Sequence, residues 1–90
     1  SDKKAEFLKI FKANVPSVKQ EKGCIEYFPA VDFDSKIPVQ VIDGAMVIII
    51  EKWASIEDLK AHLNAPHMVS YREKVKDMVE SVSLKVLQEA

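Results

Sequence analysis

Two histidines and one tryptophan are all the chain contains of either kind, and they fall together at Trp53, His62 and His67. Histidine titrates closest to neutrality, which suits it to act as a general base in a pocket. An indole offers a flat apolar wall on which a planar substrate stacks while water is kept out. Tyr71 stands one helical turn beyond His67, so its phenol can donate to a substrate oxygen. The candidate site therefore has His67 or His62 as base, Tyr71 as donor, and Trp53, Phe28 and Met68 as lining. Tyr27 and Phe28 are neighbours on a strand, and only one of them can line a given pocket.

Each residue has a plainer reading. Trp53 could be core or a contact between copies, His67 a helix-end or surface histidine, and His62 a side chain that stiffens a helix break. Asp58, His62 and His67 also amount to three potential metal ligands. Their spacing matches no common zinc pattern, and Asp58 suits a helix N-terminus, so no metal is expected. Haem would need an axial histidine facing a large cavity; His62 could serve, but nothing else favours it. No cofactor is expected.

The elements that must position these groups are legible in the pattern. Phe7, Leu8, Ile10, Phe11, Val15 and Val18 form the stripe of an amphipathic helix, expected to break near Asn14 ahead of Pro16 and to stop at Gly23. Cys24 to Val31 reads as a strand with an edge-like proline. Asp32 to Gly44 reads as a long loop, a lid or a partner-contact arm, in which Val39 to Ile42 could pair weakly. Ala45 to Trp53 opens on six apolar residues, Ala45 to Ile50, and reads as a strand covered on both faces. Ser55 suits an N-cap with Asp58 three residues on. Ile56, Leu59 and Leu63 then face the core. Pro66 starts another helix to about Met78, with Met68, Tyr71, Val75, Met78 and Val79 buried. Ser81 to Gln88 alternates as a half-buried terminal strand.

Helix, strand, strand, helix, strand is most of a ferredoxin-like βαββαβ unit of the α+β class, lacking its opening strand. Either the chain starts inside the domain or a partner supplies the missing edge. Residues 1–90 make one domain, 48% apolar, a surplus that suggests burial against a second copy. Thirteen basic and fourteen acidic residues leave a net charge of −1, with no basic face for nucleic acid. The apolar run is far short of the roughly 20 residues that span a bilayer, and Ser1-Asp2-Lys3-Lys4 is no signal peptide. The single cysteine, Cys24, excludes an internal disulfide, suits a reducing cytoplasm, and reads as a small core residue.

Three motifs, Glu21-Lys-Gly-Cys-Ile-Glu-Tyr27, Glu51-Lys-Trp53 and Ala61-His-Leu-Asn-Ala-Pro-His-Met68, run in an order that resembles the antibiotic biosynthesis monooxygenase superfamily. The resemblance implies a dimeric ferredoxin-like α+β barrel with a pocket between sheet and helices in each subunit. It also implies a small-molecule substrate, O₂ as co-substrate, no cofactor, and a homodimer or higher homo-oligomer. Two departures stand out. The usual opening strand, which often carries a polar substrate-binding residue, is absent, and Val47 to Ile50 is apolar where some members place an asparagine. The activity expected is cofactor-independent monooxygenation of a quinol-like or enolisable aromatic molecule. The alternatives are an isomerase or tautomerase of the autoinducer-2-processing type, and a non-catalytic dimeric ligand-binding module.

Overall fold

Phe11 and Val18 lie on one stripe of the first helix and are fully shielded from solvent, together with Tyr27 and Met68. That cluster fixes the arrangement. A computed structural model describes residues 2–90, so Ser1, the first residue of the polar opening, lies outside the described residues. The elements are α1 (Asp2–Lys19), β1 (Cys24–Ala30), β2 (Ile48–Trp53), α2 (Ile56–Leu63) and α3 (Pro66–Val75). The strands form a two-stranded antiparallel sheet. α1 packs on β1 and on α3, and α2 on β2. The class is α+β, consistent with the ferredoxin-like arrangement.

α1 does not break at Asn14; it continues through Pro16 to Lys19. Proline removes one helical hydrogen bond, at a cost of roughly 3 kcal/mol inside a helix. The carbonyl left without a donor belongs to Lys12, an exposed residue whose backbone water can serve. Burying Phe11 and Val18 on either side returns roughly 1.5–3 kcal/mol each, enough to carry the helix across. The turn that follows holds Gly23 at φ 82°, and a Cβ there would overlap the carboxylate of Asp58. Gly23 also accepts a 2.8 Å bond from the Ala54 amide. The α1–β1 turn is thereby fastened to the β2–α2 junction.

Pairing sets Tyr27 opposite Glu51 and Phe28 opposite Ile50, with a bulge between Cys24 and Glu26. The pleat turns Tyr27 towards the helices and Phe28 away from them. β2 is shorter and barer than expected. It begins at Ile48, opposite Ala30, because β1 offers no partner beyond that point, and Ile48 and Ile50 are exposed on the outer face. Residues 31–47 form a loop without strand pairing. It is pinned by side chains: the Asp43 amide donates to Asp32 at 2.8 Å, Gln40 donates to the Phe33 carbonyl at 2.7 Å, and Lys4 donates to the Gly44 carbonyl at 2.6 Å.

Three further expectations are corrected. α3 ends at Val75 rather than near Met78. On α2, Ile56 and Leu63 are exposed, while His62 takes the buried position. Ser81 to Gln88 is not a strand, and Val82, Leu84 and Val86 lie in solvent. Alternation describes which side chains would share a face; a strand exists only where another edge accepts its ladder.

Candidate active site

Ser55 caps α2, its hydroxyl accepting from the Asp58 amide at 3.1 Å. The helix then places His62 in its last turn, 0% exposed, where a positive charge is favoured by the carbonyl end of the helix. Pro66 occupies the first position of α3, where its missing N–H costs nothing, and His67 follows. Arg72 donates to the Leu63 carbonyl at 2.8 Å, tying α3 back to the end of α2.

Both histidines converge on one atom. Glu21 Oε2 lies 3.0 Å from His62 Nδ1 and 2.9 Å from His67 Nε2. An ionised carboxylate only accepts, so each of those ring nitrogens carries its proton. In a neutral imidazole the other nitrogen, Nε2 of His62 or Nδ1 of His67, is then a bare lone pair. Both are buried without a hydrogen-bond partner. The opposite tautomers would leave two lone pairs against a carboxylate and lose both bonds, at roughly 1–3 kcal/mol for each buried donor left unsatisfied.

His62 Nε2 points towards a second carboxylate, Glu51 Oε1 at 3.9 Å. That same oxygen accepts from Trp53 Nε1 at 2.9 Å. Glu51 and Trp53 sit two apart on β2, on one face of the sheet. The indole lies against the His62 ring with centroids 4.7 Å apart, and Tyr27 meets the same ring edge-on at 5.4 Å. A proton arriving at His62 Nε2 would enter a ring flanked by two carboxylates.

Neighbouring groups report the local field. Burial raises the Cys24 thiol, and Glu21 and Glu51 raise it further, so Cys24 stays a protonated thiol packed on the core. Burial and then Glu51 push the Tyr27 phenol well above its ordinary range. Tyr71 is pushed up to about 12, chiefly by burial, with Arg72 opposing.

Two clefts border this cluster. The larger, about 920 Å³, is lined by Ile49 to Ile56, Leu59 and the segment Leu84 to Gln88, with Glu51 and Trp53 in its wall. The smaller, about 260 Å³, lies between α1 and α3 and includes Asn14, His67 and Tyr71. Ligand pockets commonly hold roughly 300–1,000 Å³, which favours the first.

The structure thus gathers Trp53, His62 and His67. Tyr71 stands apart from Trp53, edge-on to Phe11 at 5.7 Å, and shares only the smaller cleft with His67. Met68 belongs to the core, its sulfur accepting from Asn14 at 3.5 Å. Phe28 projects from the opposite face of the sheet, 42% exposed. Sequence reasoning gave no role to Glu21 or Glu51. A signal existed for Glu51, which shares strand parity with Trp53; Glu21 opens the first of the three motifs, but its contacts join residues 41 and 46 positions apart.

A family model described as antibiotic biosynthesis monooxygenase matches residues 1–74. The chain is 40% identical over 74 residues to Probable quinol monooxygenase YgiN of Escherichia coli strain K12, covering 82% of this chain and 71% of that protein. The proteins of the same name from Escherichia coli O157:H7 and Shigella flexneri match to the same extent.

Proposed function

Taking as premise that this chain belongs to the antibiotic biosynthesis monooxygenase family and is a monooxygenase, we propose that it oxidises quinol-like or other enolisable aromatic molecules with O₂ and without a cofactor. The observation that carries this reading is His62 Nε2, buried without a hydrogen-bond partner and 3.9 Å from Glu51, which stands with Trp53 in the wall of the larger cleft.

The substrate ring stacks on Trp53. Glu51 takes the hydroxyl proton and passes it to His62 Nε2 after a small rotation closes their 3.9 Å gap. The imidazolium is then held by the two carboxylates and by the C-terminal end of α2. The quinolate left behind is electron-rich enough to reduce O₂. For a simple quinol, one ring C–H becomes C–OH, both original hydroxyls become carbonyls, and the second oxygen atom leaves as water. The substrate supplies every electron that O₂ takes up.

His62→Gln tests this. Its amide can still donate to Glu21 but cannot hold a proton at neutral pH. With a panel of quinols and an oxygen electrode, one O₂ consumed per quinol is expected, and a loss of roughly 10²–10⁴-fold in the variant. Equal rates in both proteins would remove His62 from the chemistry. The same carboxylate–imidazole–carboxylate line would serve isomerisation of a small carbonyl compound; turnover with no oxygen uptake would favour that reading.

We also infer a homodimer or higher homo-oligomer. Phe28, Ile48 and Ile50 leave 42%, 43% and 39% of their surfaces exposed on one face of a two-stranded sheet. Such a sheet is marginal in water unless that face is covered. A second copy packing the same face against it would complete a dimeric α+β barrel. Among the described residues no helix is long and apolar enough to cross a membrane, and the unpaired Cys24 suits the cytoplasm.

A further inference from the structure

Glu21 lies outside the wall of either cleft, yet among the described residues it is the one side chain hydrogen-bonded to both histidines. We propose that Glu21 is the positioning residue of this site: its Oε2 fixes both imidazole tautomers, so that His62 offers a bare Nε2 to the Trp53 cleft and His67 steadies the carboxylate instead of acting as base. The proposal rests on the reading of His62 as the proton acceptor and names what makes it one.

Four observations carry it. The backbone of Glu21 is itself held, its amide donating to Val18 O at 2.9 Å and its carbonyl accepting from the Cys24 amide at 3.3 Å. Its side chain is only 18% exposed, so the carboxylate has few water partners to exchange for the two ring N–H groups. His62 and His67 reach it from different helices, α2 and α3, which makes one oxygen the junction of three elements. Finally, the two ring nitrogens that lack any partner are the two that this tautomer assignment leaves unprotonated, so no buried N–H is stranded.

The consequence is a division of labour. When a substrate O–H breaks and the proton reaches His62 Nε2, the Nδ1–H stays on Glu21, and the ring's new charge faces an anion already in place. His67 has its N–H committed to the same anion. His67 itself lines the smaller cleft, which does not include Trp53.

Nitrogen NMR of the isotopically labelled rings reads the tautomers directly in the free chain. The expected spectrum has His62 protonated at Nδ1 and His67 at Nε2. In Glu21→Met and Glu21→Ala, neither of which keeps an oxygen acceptor, the His62 ring should become a tautomer mixture. kcat for quinol oxidation should fall roughly 10–100-fold, the usual range for partners that orient a functional histidine, with KM within about twofold. A purely structural role would leave the ring tautomers unchanged. His62 protonated at Nε2 in the parent chain would overturn the proposal, as would a tautomer unmoved in either variant or a loss confined to KM. Should Glu21→Ala fail to fold, Glu21→Met keeps the length of the side chain and carries both readouts. Should no quinol be consumed by the parent chain, the oxidation reading falls, while the tautomers still decide the role of Glu21.

Discussion

The two faces of the β1–β2 sheet carry opposite kinds of side chain. Towards the helices, Tyr27, Ile49 and Trp53 pack with Phe11, Tyr27 and Trp53 meet the fully buried His62 ring, and Glu51 stands 3.9 Å from it. On the outer face, Phe28, Ile48 and Ile50 present apolar surface relieved only by the exposed Glu26–Lys52 pair at 3.8 Å. Buried charge is costly and persists only where it is paired. Bare apolar surface is costly too, and persists where something covers it. The inner face is therefore organised for chemistry and the outer face for association.

The largest expected effect comes from breaking the outer face. Phe28→Asp with Ile50→Asp would place carboxylates opposite one another at paired positions. Sedimentation should then show a 10.2 kDa monomer in place of a particle of at least twice that mass. A parent chain that already sediments as a monomer would end the dimer reading.

A smaller effect is expected on the inner face. Trp53→Ala removes the stacking wall and the N–H that holds Glu51 Oε1 at 2.9 Å. Aromatic pairing is worth about 0.5–1.5 kcal/mol beyond area, so KM should rise up to about tenfold. The oligomer should be unchanged. A variant with unaltered KM would move the substrate away from this cleft and towards the one beside His67.

How much of this contrast could be read from the residues follows from the range of each interaction. α1, the Ser55 cap and the start of α3 at Pro66 are set by neighbours three or four positions away, and periodicity finds them. Which of Tyr27 and Phe28 faces inward depends on strand parity, which a single residue of bulge at Cys24–Glu26 can invert. The terminal alternation at Val82, Leu84 and Val86 gave a face but no partner edge. Glu21 lies in a turn without period, and its meaning comes only from histidines far along the chain. Pro16 misleads in the other direction, because its helical cost is local while the burial that overrides it is tertiary.

The smallest expected effect sharpens the comparison through protons alone. Both tyrosines of the chain lie on the helix side of the sheet. An ordinary phenol ionises near pH 10. Burial, with Glu51 behind it, raises Tyr27 well beyond that, and burial raises Tyr71 to about 12. The folded chain therefore keeps protons that the unfolded chain has released. The resulting stabilisation is complete below about pH 10 and is lost as pH climbs through about 12. Near-UV absorbance should show no tyrosinate at the ordinary midpoint while far-UV dichroism remains native, and denaturant midpoints should decline from there upward. The outer face contributes nothing to this titration, since it carries no phenol. Charging it with Phe28→Asp should leave the phenol profile of the folded chain in place; a tyrosinate step near pH 10 in either protein would mean that the inner face is wet.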